Sequence, residues 1–400
     1  MNVLVVHNRY RERGGEDRVV ELESRLLERH GHTVVSYVVD NRSIDATPKA
    51  TLPLLTIWNR RTVNDVRQLI SLARADVVHV HNTLPLVSPS VYYAARREGI
   101  PVVQTLHNYR LFCANAQCVR GGRPCTECLG AALPLAAVRH ACYRGSRLAT
   151  GTVAAMVLMH RALGTWQDAV DTYIAPTEFA RQLFIRAGLP AGRLVVKPHF
   201  VDPDPGVGRH CGGFALYVGR LSREKGIETL LEAWSLDRSL PPLTIVGDGP
   251  LAPMVEQASA HLPITWRGAQ PAATVHALMR DAQCLVFPSI TFETFGQVVA
   301  EAFAAGTPVV ASDGGAAKEL VADGRSGLLF RNADAASLAA QVARMAAAGE
   351  ARERMGRAAR AQYEATFTAA ASYRALFDIY STAMTRSGAR FHVGSDSQAA

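Results

Sequence analysis

The sequence predicts an α/β protein built from two doubly wound, parallel-sheet domains. Three observations carry that prediction. The chain has 400 residues, room for two domains of about 200 each. Short β-branched runs alternate with segments of helical period along most of its length. The runs are continuously apolar rather than alternating, the pattern of strands buried on both sheet faces.

In the first half, strands are expected near 2–7, 33–39, 76–81, 101–106, 172–175 and 194–197. In the second half they are expected near 214–219, 243–247, 264–267, 284–287, 308–311 and 327–330. Helices between them imply right-handed crossovers and two open parallel sheets. The Pro- and Gly-rich segment KPHFVDPDPGVGRHCGG (197–213) reads as a linker. It divides a first domain, 1–200, from a second, 201–370. Residues 331–363 are Ala-rich and helical in period, and YRALFDIYSTAM (373–384) is a further helix. The polar tail from about 386 to 400 is expected to be disordered. Ligands of doubly wound sheets bind beyond the carboxyl ends of the strands. Two such domains facing each other would form a cleft.

With 48% hydrophobic and 20% charged residues, the composition is that of an ordinary soluble protein. No apolar run reaches the roughly 18 residues needed to span a bilayer. The start MNVLVVH lacks a basic leader region and reads as a first core strand, so a cytoplasmic location is expected. The net charge of +8 is uneven. Residues 1–200 hold 25 Lys and Arg against 15 Asp and Glu, a balance of +10. The remaining half holds 18 against 20, a balance of −2. A basic half suits an anionic membrane surface or an anionic acceptor. A basic surface with no partner is the plain alternative. Nucleic acid is disfavoured, because no basic–aromatic recognition motif is present.

The stretch ETFGQVVAEAFAAGTPVVAS (293–312) places Glu293 and Glu301 eight positions apart around one helix start. Thr294 suits the N-cap and Gln297 completes a capping box. Gly306 and Pro308 end the helix. From Thr294 to Glu301 a helix turns through about 700° and rises roughly 10 Å. Both carboxylates could therefore face one groove, whose mouth offers backbone N–H groups at Thr294, Phe295 and Gly296 to an anion. A nucleotide sugar, with hydroxyls at both ends and a diphosphate between, fits that arrangement. A capped helix with two solvated glutamates fits the residues equally.

Other segments point the same way. Arg220 and Lys225 lie in GRLSREKG after a strand, where two cations can neutralise a diphosphate. Gly14 and Gly15 follow the first strand, and their N–H groups could approach a phosphate. They do not form the G-x-G-x-x-G fingerprint, which argues against a nicotinamide enzyme. Gly247 in VGDG and the Arg267-Gly268 pair each end a strand. His107 ends the fourth strand, in PVVQTLHNYR.

Taken in this order, these motifs resemble the E-x7-E signature and flanking segments of retaining GT-B glycosyltransferases, in particular family 4 (glycosyl transferases group 1). The resemblance covers most of the chain, including YVGRLSREKGIETLLEAW, TIVGDGP, ITWRGAQ and PVVASDGGAAKELVADGRSGLLF. It implies GT-B architecture with Rossmann-like domains. The first domain would serve the acceptor, and the second would hold a nucleoside-diphosphate sugar. The last helix, about 373–385, would cross back to the first domain. His107, Arg220, Lys225 and Glu293 would be catalytic. Gly14, Gly15, Gly247, Arg267, Gly268, Thr294, Phe295, Gly296 and Glu301 would bind the donor. Glu293 would lie near the donor sugar and Glu301 near the ribose. No metal or other cofactor would be required for catalysis. The family usually places Asp after the histidine; here Asn108 follows.

Five of the seven cysteines fall within residues 113–142. Cys125-x2-Cys128 has zinc-ligand spacing, and Cys113 and Cys142 could complete a structural site. Thiols in an inserted loop are the alternative. The expected activity is transfer of a sugar to a hydroxyl acceptor, a lipid-linked or surface-polysaccharide intermediate. The alternatives are a soluble small-molecule acceptor, or a nucleotide-sugar-binding regulator without turnover.

Overall fold

A computed structural model describes residues 1–12 and 14–388. The tail expected from 386 lies outside the described residues from 389 on; residues 386 and 387 are still helical.

The chain forms two compact units. The first comprises Met1–Ala116, Glu127–Lys197 and the chain from Tyr373 onward. Its strands are β1 (Asn2–Arg9), β2 (Thr33–Asp40), β3 (Val77–Asn82) and β4 (Val102–Thr105). Two further strands, β7 (Thr172–Ala175) and β8 (Leu194–Val196), complete a sheet in the order β2-β1-β3-β4-β7-β8. Every pairing in it is parallel. The inner strands β3, β4 and β7 are buried at every position, polar His79, His81 and Gln104 included. One face is covered by the final helix, Ala369–Ser387. Its Leu376, Ile379, Tyr380, Ala383 and Met384 pack with Val3, Val5, Val77, Val103 and Ile174. Burial of a large aliphatic side chain of this kind contributes about 1.5–3 kcal/mol.

The second unit comprises Gln117–Thr126 and Pro198–Ser372. Its strands are β9 (Ala215–Val218), β10 (Leu243–Val246), β11 (Ile264–Trp266), β12 (Cys284–Phe287), β13 (Val309–Ser312) and β14 (Gly327–Phe330). They form a parallel sheet in the order β11-β10-β9-β12-β13-β14. The order reverses between β9 and β12, so the loops leaving these two strands open a crevice. Apolar clusters lie on both faces; Trp234 anchors one, and Phe287, Phe295 and Phe303 lie in the other.

Two segments show structure beyond the sequence reading. The unit boundary falls between Lys197 and Pro198, at the start of the Pro- and Gly-rich segment, and residues 198–213 run along the second unit. The N–H groups of Val201, Gly208, His210 and Gly212 donate to Phe367, Ala305, Arg280 and Asp281 carbonyls. Arg360 grips Asp204 with two bonds of 2.7 and 2.8 Å, and the guanidinium holds the Asp204 carboxyl below its usual range. Secondly, a short antiparallel hairpin, β5 (Val119–Arg120) and β6 (Arg123–Pro124), occupies the cysteine-bearing segment. Its few residues carry no periodicity from which a strand could be read.

Candidate active site

In the second unit the expected site residues gather where the sheet order reverses. After β9 the chain runs through Gly219 and Arg220 into a single 3-10 turn, Arg223–Lys225. Gly226 ends that turn at φ +74°. A Cβ there would sit 1.9 Å from the Pro288 carbonyl oxygen, so only glycine lets the β9 and β12 loops meet. Lys225 Nζ donates to Glu293 Oε1 at 2.5 Å. Ser289 Oγ donates to the same oxygen at 2.7 Å. The ammonium and the carboxylate are thus held together between the loops, both partly exposed. Arg220 is exposed, and its carbonyl accepts from the Tyr217 hydroxyl at 2.9 Å. Burial, then the nearby Glu293 and Glu224 charges, push the Tyr217 hydroxyl far up, so it stays a neutral donor.

The helix carrying Glu301 starts later than expected. It spans Gln297–Ala304, with Gly296 at φ +111° as its N-cap and no side-chain cap. Thr294 is therefore not the cap. Gln297 does not close a capping box, because its amide donates to the Phe200 carbonyl at 2.9 Å. Glu293 lies in the loop before the helix, while Glu301 sits within it and is 6% exposed. The Phe295 side chain points into the core against His199 and Phe367, with ring centroids 5.1 and 5.7 Å away. It fixes the loop rather than offering a surface to a ligand. Gly306 does close the helix, at φ +73°.

Gly247 donates its N–H to the Gly268 carbonyl at 2.8 Å, joining the β10 and β11 loops. It stands at φ +140°, and a Cβ would fall 1.9 Å from the Gly219 carbonyl oxygen. Arg267 is exposed beside it, and its N–H donates to Ile245 at 2.9 Å. Three features were not read from the sequence. Ser289 steadies Glu293. Gly315, at φ +63°, brings the DGGAAKE turn within 3.1 Å of the Phe292 Cα, measured from an ideal Cβ. Thr291 Oγ1 donates to the Gln117 carbonyl, so the hairpin segment docks beside the Glu293 loop. The DGG glycines were a visible signal for the second; a lone Ser or Thr gives none.

In the first unit, Gly14 and Gly15 begin the helix Gly15–Arg29. Their surroundings are open, with nothing within 4 Å of an added Cβ. The Gly14 N–H, however, is not turned outward to a phosphate: Asp17 Oδ2 accepts it at 2.8 Å and caps the helix. Asn108 explains its own departure from Asp. Its amide donates to Glu16 Oε1 at 2.7 Å, where an aspartate would face a second carboxylate. Burial raises the Glu16 carboxyl above its usual range. His107 is 9% exposed, and its Nε2 lies 2.9 Å from His81 Nδ1.

The cysteines of the zinc-spaced segment lie in and around the hairpin. The Cys125 N–H donates to the Cys118 carbonyl at 2.7 Å, closing the hairpin, and Cys113 Sγ donates to Asn115 Oδ1 at 2.9 Å. Among the described residues, one group of three metal-capable side chains lies within 4.8 Å: Glu23, His79 and His81.

Comparison with known proteins agrees with this fold. Residues 13–205 match the model of Glycosyltransferase Family 4, and residues 212–362 match Glycosyl transferases group 1. The chain has the two domains of a GT-B glycosyltransferase. Glycogen synthase of Mycobacterium tuberculosis is 36% identical over 38% of this chain and 38% of its own length. Phosphatidyl-myo-inositol mannosyltransferase of Mycobacterium leprae is 37% identical over 32% of this chain and 36% of its own. The matched stretch thus spans little more than a third of these relatives. Among solved structures, Anabaena HepE in complex with UDP and glucose superposes with a TM-score of 0.67 at 17% identity, covering 96% of this chain and all of that one. Sucrose-phosphate synthase of Thermosynechococcus elongatus reaches 0.71 at 18% identity, covering 96% and 99%. Both share the glycosyltransferase fold of two parallel-sheet domains.

Proposed function

We propose that this glycosyltransferase is a retaining enzyme that moves a sugar from a nucleoside-diphosphate sugar to a hydroxyl acceptor. The observation that carries the reading is the Lys225–Glu293 pair at the reversal point of the second sheet. A cation and a carboxylate there suit the two halves of a donor. Lys225, with Arg220, faces the diphosphate, while Glu293 serves the sugar. Glu301 binds the ribose, and the β10 and β11 loops at Gly247, Arg267 and Gly268 flank the base. Negative charge develops on the departing diphosphate, and preorganised cations stabilise it. The acceptor hydroxyl attacks from the face that the leaving group vacates. His107 lies on the acceptor side.

The donor class is tested by thermal melting with UDP-, GDP-, ADP- and dTDP-sugars. At ~100 times its dissociation constant, the right donor adds about 2.7 kcal/mol. No shift with any of the four would count against the reading.

The acceptor proposed is a lipid-linked or surface-polysaccharide intermediate at an anionic membrane surface. The +10 balance of residues 1–200 supports it, as do the exposed Leu133, Leu135 and Leu148 in the same stretch as Arg139, Arg144 and Arg147. No described helix is long and apolar enough to cross a membrane. Contact would be peripheral, with about 1 kcal/mol gained per basic residue near the surface. Vesicle co-sedimentation should show binding to anionic but not neutral lipid. Salt should weaken it as the screening length falls from about 10 Å at 0.1 M to about 3 Å at 1 M. Equal binding to both vesicles, or to neither, would favour the soluble acceptor instead. The likeness to glycogen synthase and sucrose-phosphate synthase also fits that second reading.

A further inference from the structure

Behind His107 runs a line of buried polar side chains that the donor chemistry does not use. Lys197, which follows β8, is 1% exposed, and Glu23 from the first helix is 2% exposed. Lys197 Nζ donates to Glu23 Oε1 at 2.7 Å. Glu23 Oε2 lies 3.8 Å from His81 Nε2. His81 Nδ1 lies 2.9 Å from His107 Nε2, with the rings 5.2 Å apart and 21° from parallel. Residues 174 positions apart in sequence are thus joined in one chain that ends at the expected acceptor-side histidine. A buried ion pair is seldom a net source of stability, because desolvation offsets its attraction. Its presence calls for another reason.

A metal is not that reason. Glu23, His79 and His81 are close enough to share a cation. But the Lys197 ammonium already stands at the Glu23 carboxylate, and a cation there would be repelled. Both His79 nitrogens are also engaged, Nδ1 with the Tyr380 hydroxyl at 2.7 Å and Nε2 with Thr105 Oγ1 at 2.8 Å. Burial lowers His79 to about 4, so it stays neutral.

The donor and acceptor roles fix the protons instead. An ammonium only donates and a carboxylate only accepts. At 3.8 Å the Glu23 carboxylate is too far from His81 Nε2 for a hydrogen bond, but its negative charge in this buried site favours the proton on that nitrogen, as Nε2–H. His81 Nδ1 is then a lone pair, and His107 Nε2–H must donate to it. We propose that Lys197, Glu23 and His81 form a positioning chain that sets the tautomer and ring orientation of His107 for sugar transfer. The proposal rests on the reading of His107 as an acceptor-side site residue. The three residues touch no substrate; they act through His107.

The test uses the full-length protein. In Glu23→Leu/Lys197→Met both charges go together, so no buried charge is orphaned. Turnover should fall roughly 10–100-fold, the usual cost of removing a group that orients a functional histidine. Binding of the bare nucleoside diphosphate, measured by calorimetry, should stay within about twofold, since the second unit is untouched. Nitrogen-15 spectra of labelled histidine should show His107 as the Nε2–H tautomer in the parent and a mixture in the variant. His81→Leu and His81→Asn form a second arm that does not depend on the double variant folding. Asn can present an acceptor where Nδ1 stood, so His81→Asn should recover turnover that His81→Leu loses. Parental turnover and tautomer in the double variant, or equal loss in both His81 variants, would overturn the proposal while His107→Ala remained impaired. Full turnover in His107→Ala would instead remove the reading on which it rests, and the proposal with it.

Discussion

Lys225→Ala should lower turnover by roughly 10²–10³-fold at saturating donor, the scale of losing one preorganised electrostatic contact. The structure sharpens the reason. Lys225 is partly exposed and held by Glu293, itself steadied by Ser289. The ammonium is therefore already in place before a donor arrives, and little reorganisation accompanies catalysis. Because the site sits on a sheet crevice rather than in the core, the substitution should barely change thermal stability. A steady-state assay at several donor concentrations checks this. A loss confined to KM would mean that Lys225 binds ground state and transition state alike. Near-parental turnover would remove it from the chemistry.

The largest effect on stability is expected at Glu23. Glu23→Leu alone should destabilise the protein by about 3–5 kcal/mol, the cost of leaving one charge of a buried pair uncompensated. Lys197 is 1% exposed and its recorded ion-pair partner is Glu23. Adding Lys197→Met should restore most of the loss, because an apolar pair of similar volume is often neutral. Chemical unfolding followed by circular dichroism reads both. If the single variant were as stable as the parent, the pair could not be as fully buried as the structure shows.

Much of the fold was legible in the sequence, and the reason is specific. Strands such as CLVF and LTIV are buried at every position, and their apolar residues mark them. The twelve strands of the two parallel sheets all lie where apolar runs were read. What escaped was set by tertiary contact. The helix after Glu293 lost its expected capping box because Gln297 is spent on a carbonyl 97 positions away. The Gly14 amide is a local case, claimed by a carboxylate three residues on. The Lys197–Glu23 pair spans 174 positions, and nothing local announces it. Ser289 behaves likewise: an ordinary serine becomes significant only once Glu293 is beside it. The hairpin in the cysteine-bearing segment was also hidden, because its two-residue strands carry no periodicity.

If the reversal point of the second sheet binds a nucleoside-diphosphate sugar, Glu301 and Glu293 serve different parts of it. Calorimetric titration of the bare nucleoside diphosphate, paired with release of that diphosphate from the intact donor, tests it most directly. Glu301→Ala should weaken diphosphate binding, because the ribose contact is lost. Glu293→Ala should not weaken that binding, since Lys225 loses the carboxylate that competes with the phosphate, but should strongly lower diphosphate release from the donor. The reverse pattern, or parental binding and release in both variants, would contradict it.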